Sequence, residues 1–398
     1  MLDTPKANRL HISFFGKRNA GKSSLVNALT NQDIALVSDT PGTTTDPVFK
    51  AMELLPLGPV MIVDTAGLDD EGALGELRIK KTFDIMDRTD LAILVFTGES
   101  TDFSMEMKWK EELTKRNIPI IGVINKIDQF SLDEASLKSD FDIPFVSLSA
   151  KEKKNIGSFK QAIIDVAPTD FELTAIVGDI LRPKARVVLV APQDIQAPKG
   201  RLILPQVQII RDILDYDGMA LTVKDTELID VLEDLKCAPD LVITDSQMFD
   251  KVSKIVPEDI PLTSFSILMA RYKGDLATFV RGARAMDSLK PGDKVLIAEA
   301  CTHHALKGDI AREKLPIWIK EKYGDVEFVN LTGVDFPEDL KEFKLIIQCG
   351  SCMFTRKQLM SRLIKAEADD MPITNFGTAI AHLNGILDRV VSMFPEVK

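Results

Sequence analysis

Short apolar runs alternate with amphipathic stretches along the whole chain, a pattern typical of α/β proteins with mainly parallel sheets. Glycine, proline and polar residues separate the apolar runs, as they do between strands and helices. Strands are predicted in the first part of the chain at 10–15, 60–64, 91–96, 120–125 and 144–148, in the middle at 186–192, 219–223 and 240–244, and towards the end at 294–299, 326–330, 344–348 and 372–375.

Breaks in this alternation divide the chain into three predicted α/β domains, which span 1–170, 175–262 and 265–398. The first break is a proline-containing link near 181–184, and the second lies near 261–273. We find no internal repeat and no low-complexity tract in the sequence. The architecture expected from the pattern is therefore three separate sheets, one in each domain.

The composition is that of an ordinary globular protein, with 45% apolar and 27% charged residues. A formal net charge of -11 disfavours a general nucleic-acid-binding role, because phosphate backbones would be repelled. No apolar run approaches the ~20 residues that span a bilayer, and the polar start of the chain has no signal-peptide core, so a cytoplasmic protein away from membranes is expected. Four cysteines are too few for a disulfide framework.

A phosphate-binding loop follows the first predicted strand. Residues 16–23, Gly-Lys-Arg-Asn-Ala-Gly-Lys-Ser, match the pattern G-x-x-x-x-G-K-S/T directly before a helical stretch. In such loops backbone N–H groups surround the phosphates at a helix N-terminus, Lys22 stabilises the charge of the β- and γ-phosphates, and the Ser23 hydroxyl binds Mg²⁺. The residues predicted to contact nucleotide here are Gly16, Asn19, Ala20, Gly21, Lys22, Ser23 and Ser24.

Two motifs at the ends of later strands indicate that the base is guanine. In Asn125-Lys-Ile-Asp128 the aspartate can accept hydrogen bonds from the N1 and N2 donors of guanine, which adenine does not offer. Ser149-Ala-Lys151 fits the loop beside guanine O6. The residues predicted to surround the base are Asn125, Lys126, Asp128, Ser149, Ala150 and Lys151.

Residues that sense the magnesium ion and the γ-phosphate are predicted in two other segments. In Asp64-Thr-Ala-Gly67 the carboxylate can hold the magnesium through water, and the Gly67 N–H can contact the γ-phosphate. The segment 42–46, Gly-Thr-Thr-Thr-Asp, resembles the TrmE–Era–EngA branch of GTPases, whose pattern is Gly-Thr-Thr-x-Asp. By that resemblance Thr44 is the magnesium-sensing threonine, although spacing alone does not separate it from Thr43.

The attacking water must be positioned without the glutamine that Ras-like enzymes use, because position 68 is leucine. In the potassium-activated members of the same branch an asparagine of the phosphate loop binds K⁺, and Asn19 stands at that position. Those members also use a glutamate in the second switch. Glu76 lies at the matching distance from Asp64, and it is equally compatible with a solvated carboxylate on a charged helix. The catalytic residues implied by the resemblance are Lys22, Thr44 and Glu76.

Cysteines and histidines gather at the ends of two predicted strands in the last domain. Cys301-Thr-His303-His304 follows the strand at 294–299, and Cys349-Gly-Ser-Cys352 follows the strand at 344–348. Loops at the carboxyl ends of parallel strands are where open sheets build their sites. Three cysteines and a histidine fit either a closed zinc site or an iron–sulfur cluster with one weakly ligated position, and residue types alone do not choose between them.

Two other interpretations explain this arrangement less well. Buried, unliganded cysteines would not explain why both groups lie at strand ends. A redox dithiol in the Cys-x-x-Cys segment would leave Cys301 without a role. Cys237, at the end of a helical stretch far from these groups, is predicted to be a small core residue.

The whole chain resembles the HydF family, the GTPase and scaffold of FeFe-hydrogenase maturation, in its GTPase motifs, its α/β middle and its Cys-x-His and Cys-x-x-Cys segments. Residues 373–381 also fit the end of that family. The resemblance implies a 4Fe-4S cluster on Cys301, Cys349 and Cys352, and a homodimer formed through the middle domain. It further implies that the chain carries a di-iron precursor to the apo-hydrogenase, with the two radical-SAM maturases as additional partners.

The fourth position of the implied cluster departs from the family. HydF proteins usually have His-Cys-x-x-Cys, but here Gln348 precedes Cys349, and an amide is a poor iron ligand. The remaining candidates are His303, which matches the family's Cys-x-His, His304, Asp309 and an exogenous ligand.

The function expected from these observations is a Mg²⁺-dependent, K⁺-stimulated GTPase that serves as a scaffold or chaperone in hydrogenase maturation. Turnover should be slow, because no arginine finger can be assigned. The alternative is an RNA- or ribosome-associated GTPase whose last domain holds a structural zinc ion, since relatives in the same branch bind RNA. The acidity of the chain and the lack of a basic, aromatic-rich patch argue against that alternative.

Overall fold

A computed structural model of the protein describes residues 9–30, 47–65, 82–168, 175–192, 202–300, 309–333, 335–337 and 339–397. The chain divides into two compact units, Met1–Leu173 and Thr174–Lys398. Each unit is built on parallel β-structure and is described by itself.

The first unit contains one six-stranded sheet. Its strands are β1 (Leu10–Gly16), β2 (Val48–Leu54), β3 (Gly58–Asp64), β4 (Leu91–Thr97), β5 (Ile120–Asn125) and β6 (Phe145–Ser147). They lie in the order β2-β3-β1-β4-β5-β6, and all neighbours are parallel except the pair β2 and β3. The helices of the unit are α1 (Lys22–Thr30), α2 (described over 82–86), α3 (Ser104–Lys115), α4 (Glu134–Phe141) and α5 (Ile156–Val166).

Helices cover both faces of this sheet, and the central strands are therefore apolar throughout. Every residue of β1 and of β4 is buried, as expected for parallel strands that are covered on both sides. One face packs around Phe14 and Phe159, whose rings meet edge to face with centroids 6.3 Å apart. The other face packs around Phe96 and Phe141, at 4.9 Å. This two-sided core holds the carboxyl ends of the strands in fixed positions.

The second unit contains two four-stranded sheets that are parallel throughout. The first comprises β7 (Arg186–Val190), β8 (Met219–Val223), β9 (Leu241–Thr244) and β10 (Leu262–Ser264), in the order β10-β9-β7-β8. The second comprises β11 (Lys294–Glu299), β12 (Glu327–Thr332), β13 (Leu345–Gln348) and β14 (Ile373–Asn375), in the order β12-β11-β13-β14. One continuous apolar core extends from Ile176 to Phe394 and includes residues of both sheets.

Nine labelled helices accompany these sheets in the described part of the unit. They are α6 (Leu204–Asp215), α7 (Leu228–Asp234), α8 (Phe249–Ile255), α9 (Phe265–Lys273), α10 (Leu276–Ala285), α11 (Leu315–Tyr323), α12 (Arg356–Ala368), α13 (Phe376–Leu383) and α14 (Leu387–Val391).

The two sheets of this unit have the same topology, since each places its second strand at one edge, its first strand next and its third and fourth strands beyond. The turn before the first strand is also the same in both. Lys184 and Gly292 each have a positive φ, at 64° and 88°. Their N–H groups donate to the carbonyls of Asp217 and Asp325, at 2.8 and 2.9 Å. Equivalent backbone geometry at equivalent positions indicates an internal duplication.

The sequence supports this duplication once the strands are aligned. Residues 261–270 read Pro-Leu-Thr-Ser-Phe-Ser-Ile-Leu-Met-Ala, and residues 372–381 read Pro-Ile-Thr-Asn-Phe-Gly-Thr-Ala-Ile-Ala. These segments form β10 with α9 and β14 with α13, and the two helices pack on each other. A Cβ on Gly377 would lie 2.6 Å from the Cβ of its counterpart Ser266. Contact between equivalent positions is the mark of an approximately twofold arrangement.

The α/β fold with mainly parallel sheets is confirmed, and all the predicted strands are present with small differences at their ends. Two strands were not predicted. Only Leu54 of the edge strand β2 is buried, and β10 has three residues, so neither has a strong apolar pattern. The expectation that the sequence has no internal repeat was wrong.

Two further expectations, a domain boundary at 261–273 and a buried Cys237, concern this unit. The stretch 261–273, where a boundary was expected, forms β10 and α9, so the division into three domains stays a prediction. The prediction that Cys237 is a core residue was wrong, because its side chain is exposed. None of the described helices has the length and apolar character that crossing a bilayer requires.

Candidate functional site

The phosphate-binding loop connects β1, which ends at Gly16, to α1, which begins at Lys22. Two of its residues have left-handed backbone conformations, Asn19 with φ 61° and Gly21 with φ 87°. Gly21 is also tightly enclosed, because a Cβ at this position would lie 2.3 Å from the side-chain Nδ2 of Asn125. The second glycine of the motif is therefore required by both its backbone angle and its surroundings.

Lys22 is held by the loop in which it lies. Its side chain is 6% exposed, and its Nζ donates to the carbonyls of Gly16 and Lys17, at 2.7 and 2.9 Å. The ammonium group is thus held within the phosphate loop, which ends at the N-terminus of α1. The positive charge of Lys22 and the helix N-terminus both favour binding of an anion here.

Asp64 and Ser23 meet where a magnesium ion was predicted. The Ser23 hydroxyl donates to Asp64 Oδ2 at 2.6 Å, and the second oxygen, Oδ1, is buried without a hydrogen-bond partner among the described residues. Burial raises the pKa of Asp64, while the Ser23 hydrogen bond and the charge of Lys22 oppose that rise. A buried carboxylate oxygen beside a hydroxyl fits a hard divalent cation, which takes oxygen ligands.

Asn125 ties the phosphate loop to the loops predicted to surround the base. Its Nδ2 donates to the carbonyl of Ala20 at 3.0 Å, and its Oδ1 accepts from the N–H of Ala150 at 3.1 Å. Asp128 is exposed, and a hydrogen bond with Ser149 lowers its pKa, so the carboxylate stays ionised as a hydrogen-bond acceptor. These contacts bring together three segments that are far apart in the sequence.

Several predicted nucleotide-site residues lie outside the part of the chain that the structure describes. They are Thr43, Thr44, Gly67, Leu68 and Glu76. Their predicted roles in sensing magnesium and γ-phosphate, and in orienting water, stay predictions.

A second group of functional residues lies at the ends of β11 and β13, which are adjacent parallel strands. The Cys349 thiol accepts hydrogen bonds from the backbone N–H groups of Ala300 and Ser351, at 3.0 and 3.4 Å. Ala300 directly precedes Cys301 in the sequence, so the last described residue before the first predicted ligand segment contacts the second segment. In this sheet β11 and β13 are the first and third strands along the chain, and the chain continues outward in opposite directions from them. Open α/β sheets place their ligands at such a point.

Positive charge surrounds the Cys-x-x-Cys segment. Burial lowers the pKa of Lys273 to about 8, and the nearby Cys352 and Cys349 raise it. Burial also lowers the pKa of Arg362 to about 10. Burial raises the pKa of Cys349, and the N–H groups of Ser351 and Ala300 act in the opposite direction. These contacts fit thiolate ligands, because hydrogen-bond donors and cations stabilise anionic sulfur.

The rest of the predicted ligand set is only partly visible. Cys301, His303 and His304 lie outside the described residues, within which no three His, Cys, Asp and Glu side chains come together as a metal site. Asp309 is 6% exposed, and its side chain accepts from the N–H of Arg312 at 3.0 Å as the cap of the following helix.

Sequence reasoning did not find Lys273 or Arg362. Each belongs to an otherwise amphipathic or apolar helix and lies far from the cysteines in the sequence, so no local pattern marks it. Gln348 was identified only as a residue that cannot bind iron, whereas in the structure it is fully buried beside Cys349.

Three family models match successive parts of the chain. Residues 11–126 match a model described as a 50S ribosome-binding GTPase. Residues 176–274 match the hydrogen maturase F dimerization domain, and residues 277–393 match the hydrogen maturase F tetramerization domain. The first unit is thus a P-loop GTPase domain, and the second matches two models of one maturase family.

Curated relatives and solved structures resemble the first part of the chain. The tRNA modification GTPase MnmE of Desulfotalea psychrophila is 32% identical over 157 residues, which is 38% of this chain and 33% of the relative. MnmE of Legionella pneumophila is 36% identical over 171 residues, or 42% of this chain and 37% of the relative. The chain therefore spans about a third of the length of these relatives.

Among solved structures, Era from Aquifex aeolicus bound to GDP and aluminium fluoride is 16% identical, covering 54% of this chain and 94% of that chain with a TM-score of 0.37. The G domain of the T. maritima FeoB iron transporter is 22% identical, covering 40% and 98%, with a TM-score of 0.32.

Replacing Gly21 by alanine tests the packing of the phosphate loop on Asn125. The new Cβ would overlap Nδ2 of Asn125 and would sit at a φ that side chains rarely adopt. We expect the affinity for a fluorescent GDP analogue to fall by about tenfold or more, or ~1.4 kcal/mol. Gly157→Ala is the matched control, because its Cβ would meet no heavy atom within 4 Å. A Gly21→Ala variant that binds as tightly as this control would contradict the packing argument.

Proposed function

The chain belongs to the hydrogen maturase F (HydF) family, and from that premise we propose that it is a GTP-hydrolysing scaffold that carries a 4Fe-4S cluster and assembles or delivers the di-iron precursor of the FeFe-hydrogenase active site. The observation that best supports this proposal is the 3.0 Å hydrogen bond from the Ala300 N–H to the Cys349 thiol. It supports the proposal because Ala300, the residue before Cys301 in the sequence, contacts the Cys-x-x-Cys segment, and ligation of one centre by all three cysteines needs the two segments to be close.

In the proposed reaction GTP is hydrolysed to GDP and phosphate. Lys22 stabilises charge on the β- and γ-phosphates, and Ser23, Asp64 and Thr44 would hold Mg²⁺, which would supply further positive charge beside the phosphates. The buried Oδ1 of Asp64, which has no hydrogen-bond partner within the described ranges, supports the magnesium assignment. With leucine at position 68, we assign the orientation of water to Glu76. The absence of an assignable arginine finger makes turnover slow, which suits a switch that alters partner contacts.

We also assign a potassium site beside the phosphates to Asn19. The exposed side chain of Asn19, on a backbone with φ 61°, supports this assignment, because an accessible amide oxygen can bind a monovalent cation. A monovalent cation there would add positive charge where negative charge develops during hydrolysis. The cation would thereby take the place of the absent arginine finger.

Exchanging K⁺ for Na⁺ tests the potassium site. At constant ionic strength we expect GTP hydrolysis to be at least about tenfold faster in K⁺, because losing one group that stabilises transition-state charge slows catalysis by about 10²–10³-fold and Na⁺ would replace K⁺ only in part. Asn19→Gly should abolish this difference, because glycine accepts the positive φ but has no amide oxygen. Unchanged GDP affinity would show that the loop of the variant is intact. Equal rates of the unaltered protein in K⁺ and Na⁺ would rule the site out.

For the cluster we assign Cys301, Cys349 and Cys352 as ligands, with His303 as the first choice for the fourth position and His304, Asp309 or an exogenous group as the alternatives. Such a cluster supplies an iron site at which a precursor could be exchanged. Asp309 Oδ1 accepts a hydrogen bond as a helix cap, which leaves the other carboxylate oxygen as the one that could bind iron. His303 is the first choice because it matches the Cys-x-His pattern of the family.

Metal analysis of anaerobically purified protein tests the scaffold function. We expect iron and sulfide with a broad brown absorbance, and Cys349→Ser should lose most of both because one of three thiolate ligands is removed. Cys237→Ser is the matched control, since Cys237 is exposed and is not among the assigned ligands. One colourless zinc ion per chain would instead support an RNA- or ribosome-associated GTPase, the alternative that the MnmE relatives raise.

The partners that we propose are the apo-hydrogenase, the two radical-SAM maturases and a second copy of the chain. A homodimer has a clear candidate surface at the edge strand β8. Met219 and Leu221 on this strand are 49% and 41% exposed, and Leu214, Tyr216 and Ile229 nearby in sequence are 54%, 42% and 51% exposed. An unpaired sheet edge that carries apolar side chains is a template for pairing with another chain. About a twofold axis, β8 would pair with its own copy.

Charge placed on β8 should separate the subunits. We expect Leu221→Lys to reduce the mass measured by light scattering to about half that of the unaltered protein, because a buried, unpaired lysine at a core interface costs several kcal/mol. Leu55→Lys, at a residue of the first unit that is 78% exposed, is the control and should leave the mass unchanged. If Leu221→Lys leaves the mass unchanged as well, β8 is not the interface.

A further inference from the structure

A buried lysine is hydrogen-bonded to the backbone of the Cys-x-x-Cys loop. Lys273, the last residue of α9, is 2% exposed, and its Nζ donates to the carbonyls of Ser351, Cys352 and Phe354 at 3.1, 3.2 and 2.9 Å. Among the described residues this ammonium group has no carboxylate partner. A buried cation is costly unless an anion compensates it. Among the described residues, the groups able to become anionic that interact electrostatically with this ammonium group are the two thiols of the loop, Cys349 and Cys352.

A buried arginine determines the orientation of Gln348. Arg362 is 5% exposed, and its Nη1 lies 2.8 Å from Gln348 Oε1. Because a guanidinium group only donates hydrogen bonds, the atom that faces it must be the amide oxygen. The amide nitrogen therefore faces the loop, where it lies 3.6 Å from Cys349 Sγ and 3.2 Å from the Ser351 hydroxyl.

The arginine itself cannot easily change position. Its Nη2 donates to the carbonyl of Gly333 at 2.7 Å, and its guanidinium carbon lies 4.5 Å from the ring centre of Phe354 and 5.0 Å from that of Phe336. Stacking and hydrogen bonding together leave the group a single arrangement. Gln348 is consequently fixed as a donor towards the thiol.

We propose that Lys273, Gln348 and Arg362 form a positioning shell that holds the Cys-x-x-Cys loop ready for metal and stabilises the more anionic, reduced state of the bound centre. Gln348 acts as a hydrogen-bond donor to Cys349, and it leaves the fourth coordination position to another group. This inference rests on the proposed metal function of the three cysteines. Donors and positive charge around ligating sulfur raise a reduction potential, because reduction adds negative charge to the centre.

Two variants test the shell in the full-length protein. Gln348→Leu removes the N–H donor, and Lys273→Met removes the charge while keeping an unbranched side chain that is one atom shorter. With the iron–sulfur centre reconstituted, we expect both to lower the reduction potential in an EPR-monitored titration, Lys273→Met by at least a tenfold change in the reduction equilibrium, which is about 59 mV for one electron. Lys254→Met removes an equal charge from an exposed position on α8 and should leave the potential unchanged.

A cobalt titration of the metal-free protein provides a second readout that needs no iron. Thiolate-to-Co²⁺ absorbance should show at least tenfold weaker binding by Lys273→Met than by Lys254→Met, because the loop loses three hydrogen bonds and a compensating charge. Circular dichroism will show whether each variant is folded. If Gln348→Leu does not fold, the result for Lys273→Met alone decides whether the shell exists.

The outcomes separate this inference from the function on which it rests. If the unaltered protein assembles iron and sulfide but both variants keep its potential and its cobalt affinity, the shell is refuted and the scaffold stands. If the protein takes up no iron and sulfide, the scaffold function fails, and the cobalt titration still decides whether Lys273 supports a thiolate site. Weaker cobalt binding by Lys273→Met then upholds the shell for another metal, and unchanged binding overturns it.

Discussion

Parallel pairing of strands is the constraint on which both functional sites depend. In the first unit β1 lies beside β3, so the phosphate loop after Gly16 and the carboxylate at Asp64 emerge at the same edge of the sheet. In the second unit β11 lies beside β13, and this register places Ala300 against the Cys349 thiol. Because parallel strands are joined by helical crossovers, each site combines residues that are distant in sequence. The apolar core on either side of each sheet holds the strand ends, from which these loops begin, in fixed positions.

The sequence predicted the parts of this arrangement that depend on local pattern. Strong apolar runs marked the strands, and the phosphate loop could be read because its glycines and lysine act through the backbone of one short segment. The strand-end rule also led us to expect the two cysteine groups close together, and the structure describes the adjacent ends of β11 and β13 from which they follow. The role of Asn125 as a tie between Ala20 and Ala150 was not predicted, since it depends on how two loops pack.

What could not be predicted lies in contacts between distant helices and loops. Lys273 and Arg362 contact the cysteine loop only because α9 and α12 pack against it. In the sequence, a lysine at the end of a helix is equally compatible with a solvated charge. The short strand β10 lacked a pattern long enough to register. The duplication was hidden for a related reason, because the matching residues are confined to short segments such as β10 with the start of α9 and β14 with the start of α13, while the helices that connect the strands differ in length and composition.

Comparison of the two halves of the second unit shows which features of the cysteine site come from the fold and which come from particular side chains. Both halves of the second unit end their third strand at the same place, yet Thr244 and Asp245 occupy in the first half the positions of Gln348 and Cys349 in the second. A hydroxyl and a carboxylate are hard oxygen ligands, and they do not replace thiolates at a centre of soft metals. Lys273 nevertheless belongs to the first half and supports the cysteine loop of the second. The thiol site is therefore a property of the paired halves, because neither half alone contains both the cysteines and the cation beneath them.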